Sequence, residues 1–284
     1  MKPYIGHHIG TKFGFTTTSE YARSLGANFL QIFLSSPQTY TRPIRKESDF
    51  KTLKDDLDKH DMKILVHGNY MLNFCNPSGT QIYNKATISL CKDLDESIKI
   101  GAIGVVIHMG KKLQMNEETA IDNYVSGLKN VLSKTNKNSI IILETGAGVG
   151  SEICTKLDKL KMLYDKFTKE EQTRIKFCID TCHIFASGYN INDINFVDSF
   201  IKIIKNTLTW EKIACIHLND SKDNCGSCKD HHEDITKGNI GTDGLKKFIN
   251  KCIECNIPIV LETPCDKLSK KDQIALVKSW ATKI

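Results

Sequence analysis

Eight short apolar runs recur along the chain, and they limit its fold more than any other feature. In order they are YIG (4–6), FLQIFL (29–34), KILV (63–66), GVVI (104–107), IIIL (140–143), KFCI (176–179), IACI (213–216) and IPIVL (257–261). They are rich in Val, Ile, Leu and Phe and show no clean polar alternation, the pattern of parallel strands buried on both faces. Between them lie segments with helical spacing, such as ISLCKDLDESIKIGA (88–102) and AIDNYVSGLKNVL (120–132). In the second, Ile121, Tyr124, Val125, Leu128, Val131 and Leu132 form one apolar stripe. Strands and helices alternating in this number predict an α/β fold, a (β/α)8 TIM barrel with its active site at the C-terminal ends of the strands. The chain has 284 residues, and α/β barrels of about 250 residues fold as a unit. No Pro-, Gly- or Ser-rich linker interrupts it, so residues 1–284 are expected to form a single domain.

The composition narrows the setting. Hydrophobic residues make up 40% and charged residues 25%, an ordinary globular balance. There is no apolar stretch of about 18 residues to span a membrane and no basic-then-apolar start typical of a signal peptide. A soluble, intracellular protein is expected, in cytoplasm or nucleus, without a membrane partner and as a monomer. Eleven cysteines in such a chain argue for reduced thiols rather than a disulfide framework. Several, such as Cys178, Cys215 and Cys252, lie in apolar runs, where free Cys behaves as a small hydrophobe. The net charge of +6 permits a polyanionic partner without requiring one.

The residues just past each run are more specific. The first strand is followed by His7 and His8, the third by His67, the fourth by His108 and the fifth by Glu144. The sixth leads to Asp180 and His183, the seventh to His217 and the eighth to Glu262; only the second offers no such residue. The 33 Asp and Glu and nine His together are about one residue in seven, so a tip residue of this kind on each of the last six strands is not a chance pattern. Asp180 and His183 alone would read as a helix cap and a surface histidine. Convergence of six tips on one barrel rim favours a metal centre instead.

Imidazole and carboxylate donors suit zinc, and also manganese or iron. Zinc takes about four ligands, so this set is too rich for one ion. A bridging carboxylate such as Glu144 can hold two metals roughly 3.5–4 Å apart, an arrangement that activates water and stabilises both oxygens of a phosphoryl displacement. Metal-dependent sugar isomerases place similar residues at strand ends, so spacing alone leaves both chemistries open. The segment HLNDSKDNCGSCKDHHEDITKGNIG (217–241) then adds Asp230, His231 and His232, enough for a third metal.

With that segment, the blocks YIGHHIG (4–10), HGNYMLN (67–73), IHMG (107–110), LETGAGVG (143–150), CIDTCHIFASGY (178–189) and LETP (261–264) resemble the endonuclease IV family of apurinic/apyrimidinic endonucleases. The order is the family's, from first strand to last. The resemblance implies three Zn2+ ions: His67 and His108 with Glu144 as a bridge, then Glu144, Asp180, His217 and Glu262, then His183, Asp230 and His232. It implies Glu144 and Glu262 as catalytic positions and double-stranded DNA containing abasic sites as the partner. The implied reaction is hydrolysis of the phosphodiester bond 5′ to the abasic site, with removal of blocking groups from 3′ ends as a companion activity. Tyr70 and Met71 match positions that push into the minor groove, an apt place for an aromatic and an apolar wedge. Gln38 stands where the family inserts an Arg into the groove after strand two. His231 stands where an Arg is usual, and Met109 where Pro is common.

Other features stay outside that reading. CGSC (225–228) has metal or redox spacing, and Cys225 and Cys228 could also form a labile disulfide. The lysine run TKLDKLKMLYDKFTKEE (155–171) alternates in sign and reads as a solvated helix. The competing readings are a metal-dependent sugar isomerase or epimerase on the same barrel and a non-catalytic DNA-damage binding protein.

Overall fold

A computed structural model describes residues 2–281. Eight parallel strands close a barrel: β1 (Ile5–His8), β2 (Phe29–Phe33), β3 (Lys63–His67), β4 (Val105–Ile107), β5 (Ile141–Glu144), β6 (Ile175–Asp180), β7 (Ile213–His217) and β10 (Ile259–Leu261). Between the last two, a short ribbon of β8 (Asp220–Ser221) and β9 (His232–Glu233) stands apart from the barrel. All eight apolar runs become barrel strands. Hydrogen bonding follows chain order around the ring and closes where β1 pairs with β10 through Gly6 and Val260. At Gly6 a Cβ would lie 1.5 Å from the Phe29 carbonyl oxygen, so only glycine lets β1 and β2 meet there.

The helices form the outer ring. They are α1 (Phe15–Ser24), α2 (Glu47–Lys59), α3 (Gln81–Lys99), α4 (Glu117–Lys134), α5 (Leu157–Tyr164), α6 (Lys169–Gln172), α7 (Thr181–Ala186) and α8 (Ile194–Thr207), then α9 (Thr242–Glu254) and α10 (Lys270–Ala281). Helix α4 buries Tyr124, Val125, Leu128, Val131 and Leu132 of the expected stripe. The lysine run does not form the one solvated helix expected of it. It breaks into α5 and α6, and α5 buries Leu157, Leu160, Leu163 and Tyr164. The second start is fixed by a capping box, in which Thr168 accepts from the Glu171 amide and Glu171 accepts from the Thr168 amide.

Strand residues alternate between two environments. Those facing outward join the large core beneath the helices, including Leu30, Ile32, Ile64, Val66, Ile141, Leu143 and Ile259. Those facing inward fill the lower barrel with a separate apolar cluster of Phe29, Leu65, Val106, Ile142, Cys178, Cys215 and Val260, with Ala214 beside them. Two residues further along each strand, the same face presents Gln31, His67, His108, Glu144, Asp180, His217 and Glu262. A bulge between β6 and β7 lets Cys178 face Cys215 and Asp180 face His217, with Ala214 as the extra residue.

Candidate metal centre

The upper layer brings the donors together around Glu144, which is 1% exposed. Glu144 Oε2 lies 3.1 Å from His108 Nε2 and 3.5 Å from His67 Nε2, while Oε1 lies 2.8 Å from His217 Nδ1. His217 Nδ1 is also 3.1 Å from Glu262 Oε2 and 3.9 Å from Asp180 Oδ2. At the outer side, Asp230 Oδ1 is 3.0 Å from both His183 Nε2 and His232 Nε2. The trios His67–His108–Glu144 and His183–Asp230–His232 each hold their donor atoms close enough to share one ion. His67, His217 and Glu262 form an overlapping trio between them.

Ring orientation is set from behind. His67 Nδ1 meets the Gly68 carbonyl at 2.8 Å, His183 Nδ1 the Thr145 carbonyl at 2.8 Å and His232 Nδ1 the Glu262 carbonyl at 3.3 Å. A carbonyl can only accept, so each Nδ1 carries the proton and each Nε2 turns to the centre. Asp180 is a helix cap after all: its Oδ1 accepts from the His183 amide at 2.9 Å. Its Oδ2 accepts from Asn219 at 2.7 Å on the side of the cluster. The histidine it caps is buried, so the cap and the cluster are one device.

The electrostatics call for positive charge. Burial pushes the Glu144 carboxyl up, but His217 and His108 outweigh it and hold it well below the carboxylate range. Burial lowers His217 and His183, but the carboxylates Glu262 and Glu144, and Asp180 and Asp230, raise them well above an ordinary imidazole. Against the same burial, Asp180 and Asp230 bring His232 up to about 9. Protons on the imidazoles balance carboxylates that stay ionised, which is the role a divalent cation would take over. Glu144 Oε2, His183 Nε2 and His232 Nε2 are buried and make no well-aligned hydrogen bond, although His108 and Asp230 lie 3.0–3.1 Å away; they crowd around a common point, as donors aimed at an ion would. The cysteines behind them are poor thiolate ligands: burial raises Cys178 far above its usual range and Cys182 to about 12.

Not every candidate joins. His231 is 60% exposed in its side chain and turns to Asp223 Oδ2 at 2.8 Å. The antiparallel pairing of β8 with β9 explains the choice. His231 gives its carbonyl to the Lys222 amide, and the next residue, His232, turns to the opposite face and the cluster. His7 points outward to Thr263 and Lys270. Cys225 and Cys228 are free thiols. One residue that sequence spacing passed over joins, Gln31, and so does His8, a strand-tip histidine outside the implied ligand sets. Gln31 from β2 donates to Glu262 Oε1 at 2.5 Å, and His8 Nδ1 lies 3.5 Å from the same oxygen.

Above the centre is a cleft of about 310 Å3 lined by Tyr70, His108, His183, Asp230, His232 and Glu262. Tyr70 is half exposed; its ring meets Phe33 and His67 edge-on, at 5.3 Å in each case. Met71 is half exposed beside it, and its carbonyl accepts from Tyr40 Oη at 2.9 Å. Asn69 staples this loop to the loop after β2, donating to the carbonyls of Ser36 and Thr39 and accepting from the Met71 amide. Gln38 is exposed on that second loop, next to Pro37, whose carbonyl accepts from the Tyr70 amide at 2.9 Å.

Fold and site together define a TIM barrel with a buried His and carboxylate centre at its C-terminal rim. Residues 19–283 match the family described as xylose isomerase-like TIM barrel. A putative endonuclease 4 of Acanthamoeba polyphaga mimivirus is 40% identical over 99% of this chain and 94% of its own length. A probable endonuclease 4 of Thermosipho africanus (strain TCF52B) is 35% identical over 94% of this chain and 95% of its own. The crystal structure of endonuclease IV from Thermus thermophilus superposes with a TM-score of 0.83 at 24% identity, covering 99% of this chain and 100% of that one, a likeness of fold. The chain belongs to the endonuclease IV family of the xylose isomerase-like TIM barrels.

Proposed function

We propose that this protein is a DNA-repair endonuclease that hydrolyses the phosphodiester bond 5′ to an abasic site, using three zinc ions. The observation that carries the proposal is the convergence of nine His, Asp and Glu side chains on one rim, with three buried ligand-type atoms that make no well-aligned hydrogen bond. In it, His67, His108 and Glu144 hold one zinc, Glu144, Asp180, His217 and Glu262 the second, and His183, Asp230 and His232 the third. Zinc so bound would supply a water of lowered pKa and positive charge for the attacking and departing oxygens. Glu144 faces both inner sets through its two oxygens, so it fixes their spacing. Glu262 closes the second set from the eighth strand of the barrel. Tyr70 lines the cleft and Met71 is exposed beside it, where they would fill the gap left by an extruded abasic sugar.

The same site would clean blocked 3′ ends, a use of one phosphodiester chemistry on a second substrate. A sugar isomerase would keep the barrel, but the curated relatives at 35–40% identity are endonucleases. The test is direct. The protein purified without chelators should carry about three zinc ions and cut a duplex with one synthetic abasic site, with no magnesium added. One metal or fewer in active enzyme would overturn the three-zinc reading, and an intact abasic duplex would overturn the activity.

A further inference from the structure

Gln31 lies inside an apolar run of β2, is 0% exposed, and reaches two candidate ligands at once. Its Nε2 is 2.5 Å from Glu262 Oε1, and its Oε1 is 2.8 Å from His217 Nε2. The amide can be oriented only one way. Glu262 Oε1 is the atom in contact with the amide, and a carboxylate placed to bind a metal accepts hydrogen bonds and does not donate them. The amide nitrogen must therefore face Glu262, and the amide oxygen must face His217. An amide oxygen only accepts as well, so His217 Nε2 must carry a hydrogen.

That fixes the ring. His67, His183 and His232 tie Nδ1 to a backbone carbonyl and present Nε2, whereas His217 is reversed and presents Nδ1 to Glu144 and Glu262. Its Nδ1 is the atom 2.8 Å from Glu144 Oε1 and 3.1 Å from Glu262 Oε2. We infer that Gln31 is a positioning residue for the second metal set: it commits His217 to binding through Nδ1 and holds Glu262 with Oε2 turned inward. One side chain thus orients donors from β7 and β10, which are adjacent in the barrel, from across its interior on β2.

The inference rests on the proposed zinc site, and its experiment separates the two. Zinc affinity is measured by chelator competition on wild type, Gln31→Met and Gln31→Glu, and the ring protonation of His217 is read by 15N NMR in the zinc-loaded protein. Gln31→Met fills the space but offers neither donor nor amide acceptor. It should weaken the second zinc by about 10–100-fold, the scale for losing a hydrogen bond to a ligand, while the other two ions and the circular dichroism spectrum stay as in wild type. Gln31→Glu keeps an acceptor for His217 but puts a carboxylate against Glu262. It should retain the Nε2–H signature yet still lose affinity. If Gln31→Met does not fold, Gln31→Glu alone decides, because it tests both contacts. Wild-type zinc affinity in whichever variant folds, or an unchanged His217 signature in Gln31→Met, would overturn the inference. Wild type that binds no zinc would instead overturn the metal reading. In that case the His217 proton, read at high pH in metal-free wild type and Gln31→Met, still tests Gln31.

Discussion

The barrel interior has two layers one residue pair apart, and they obey opposite rules. The lower layer of Phe29, Leu65, Val106, Ile142, Cys178, Cys215 and Val260 is apolar and fully buried. The upper layer, two residues on along each of those strands, is Gln31, His67, His108, Glu144, Asp180, His217 and Glu262. Five of the seven upper residues are no more than 1% exposed. Burying apolar surface stabilises a fold by roughly 25 cal/mol per Å2, whereas burying ionised groups costs several kcal/mol each unless they are paired. The lower layer therefore closes the barrel, and the upper layer is sustained by it. Stability and chemistry are separated by about one side-chain spacing along the same strands.

The sharpest way to break that comparison is in the lower layer. Phe29→Ala should cost about 3–5 kcal/mol of unfolding free energy, the range for deleting a buried Phe. The zinc count of the folded fraction should not change. Urea denaturation and elemental analysis read the two quantities separately, and loss of zinc without loss of stability would mean the layers are not distinct. The mirror experiment comes next in size. Glu262→Gln should unfold close to wild type but cleave an abasic duplex about 100-fold more slowly, since it removes a proposed carboxylate ligand without opening a cavity. A large stability loss in that variant would place Glu262 in the scaffold instead.

The same division governs how much was legible in the sequence. The apolar runs gave away the strands because burial on both faces leaves no room for polar residues. The convergence of the nine candidate donors was legible because they come just after those runs or in the one segment rich in His and Asp. Gln31 was not, because it sits within FLQIFL, and counting from the end of a run passes over it. Counting inward positions two apart from Phe29 would have found it, and the same count from Gly6 marks His8 rather than His7 as the inward member of that pair. The break between α5 and α6 was hidden by a lysine pattern that looks solvated while its leucines are buried. The D-x-H spacing favours His232 but leaves His231 as a rival, because the side each turns to is set by a two-residue ribbon whose pairing partner, Asp220–Ser221, carries no pattern of its own.

That ribbon supplies the third test, within the rim. His232→Ala should release the outer zinc, with a loss of affinity or activity of about 10–100-fold. His231→Ala removes a surface contact with Asp223 and should stay near wild type on both measures. The two alanines can be compared by zinc titration and by cleavage rate on one substrate. If His231→Ala is the inactive member, the outer site takes its ligand from the exposed side of the ribbon, and His232 is not that ligand.

The smallest effect belongs to the loop above both layers, where Tyr70 and Met71 are half exposed. On the proposed reading they recognise DNA and do not bind metal, so Tyr70→Ala and Met71→Ala should keep full zinc content. Unstacking and unpairing an intact nucleotide costs a few kcal/mol and an abasic one costs less, so discrimination can arise from flipping if something fills the vacated space. The staple through Asn69 holds this loop to the one that carries Gln38, which would make a firm wedge beside the proposed ligand His67. Each alanine should weaken binding to abasic duplex by about 1–3 kcal/mol, the scale of base–aromatic stacking, with Met71 at the lower end because it lacks a ring. Binding to undamaged duplex rests on phosphate contacts and should change little at matched salt. Both affinities are measured for wild type and each variant by fluorescence anisotropy. Equal losses on damaged and undamaged DNA would reduce this loop to packing or backbone contact, and the barrel would then have to discriminate through the depth of its cleft alone.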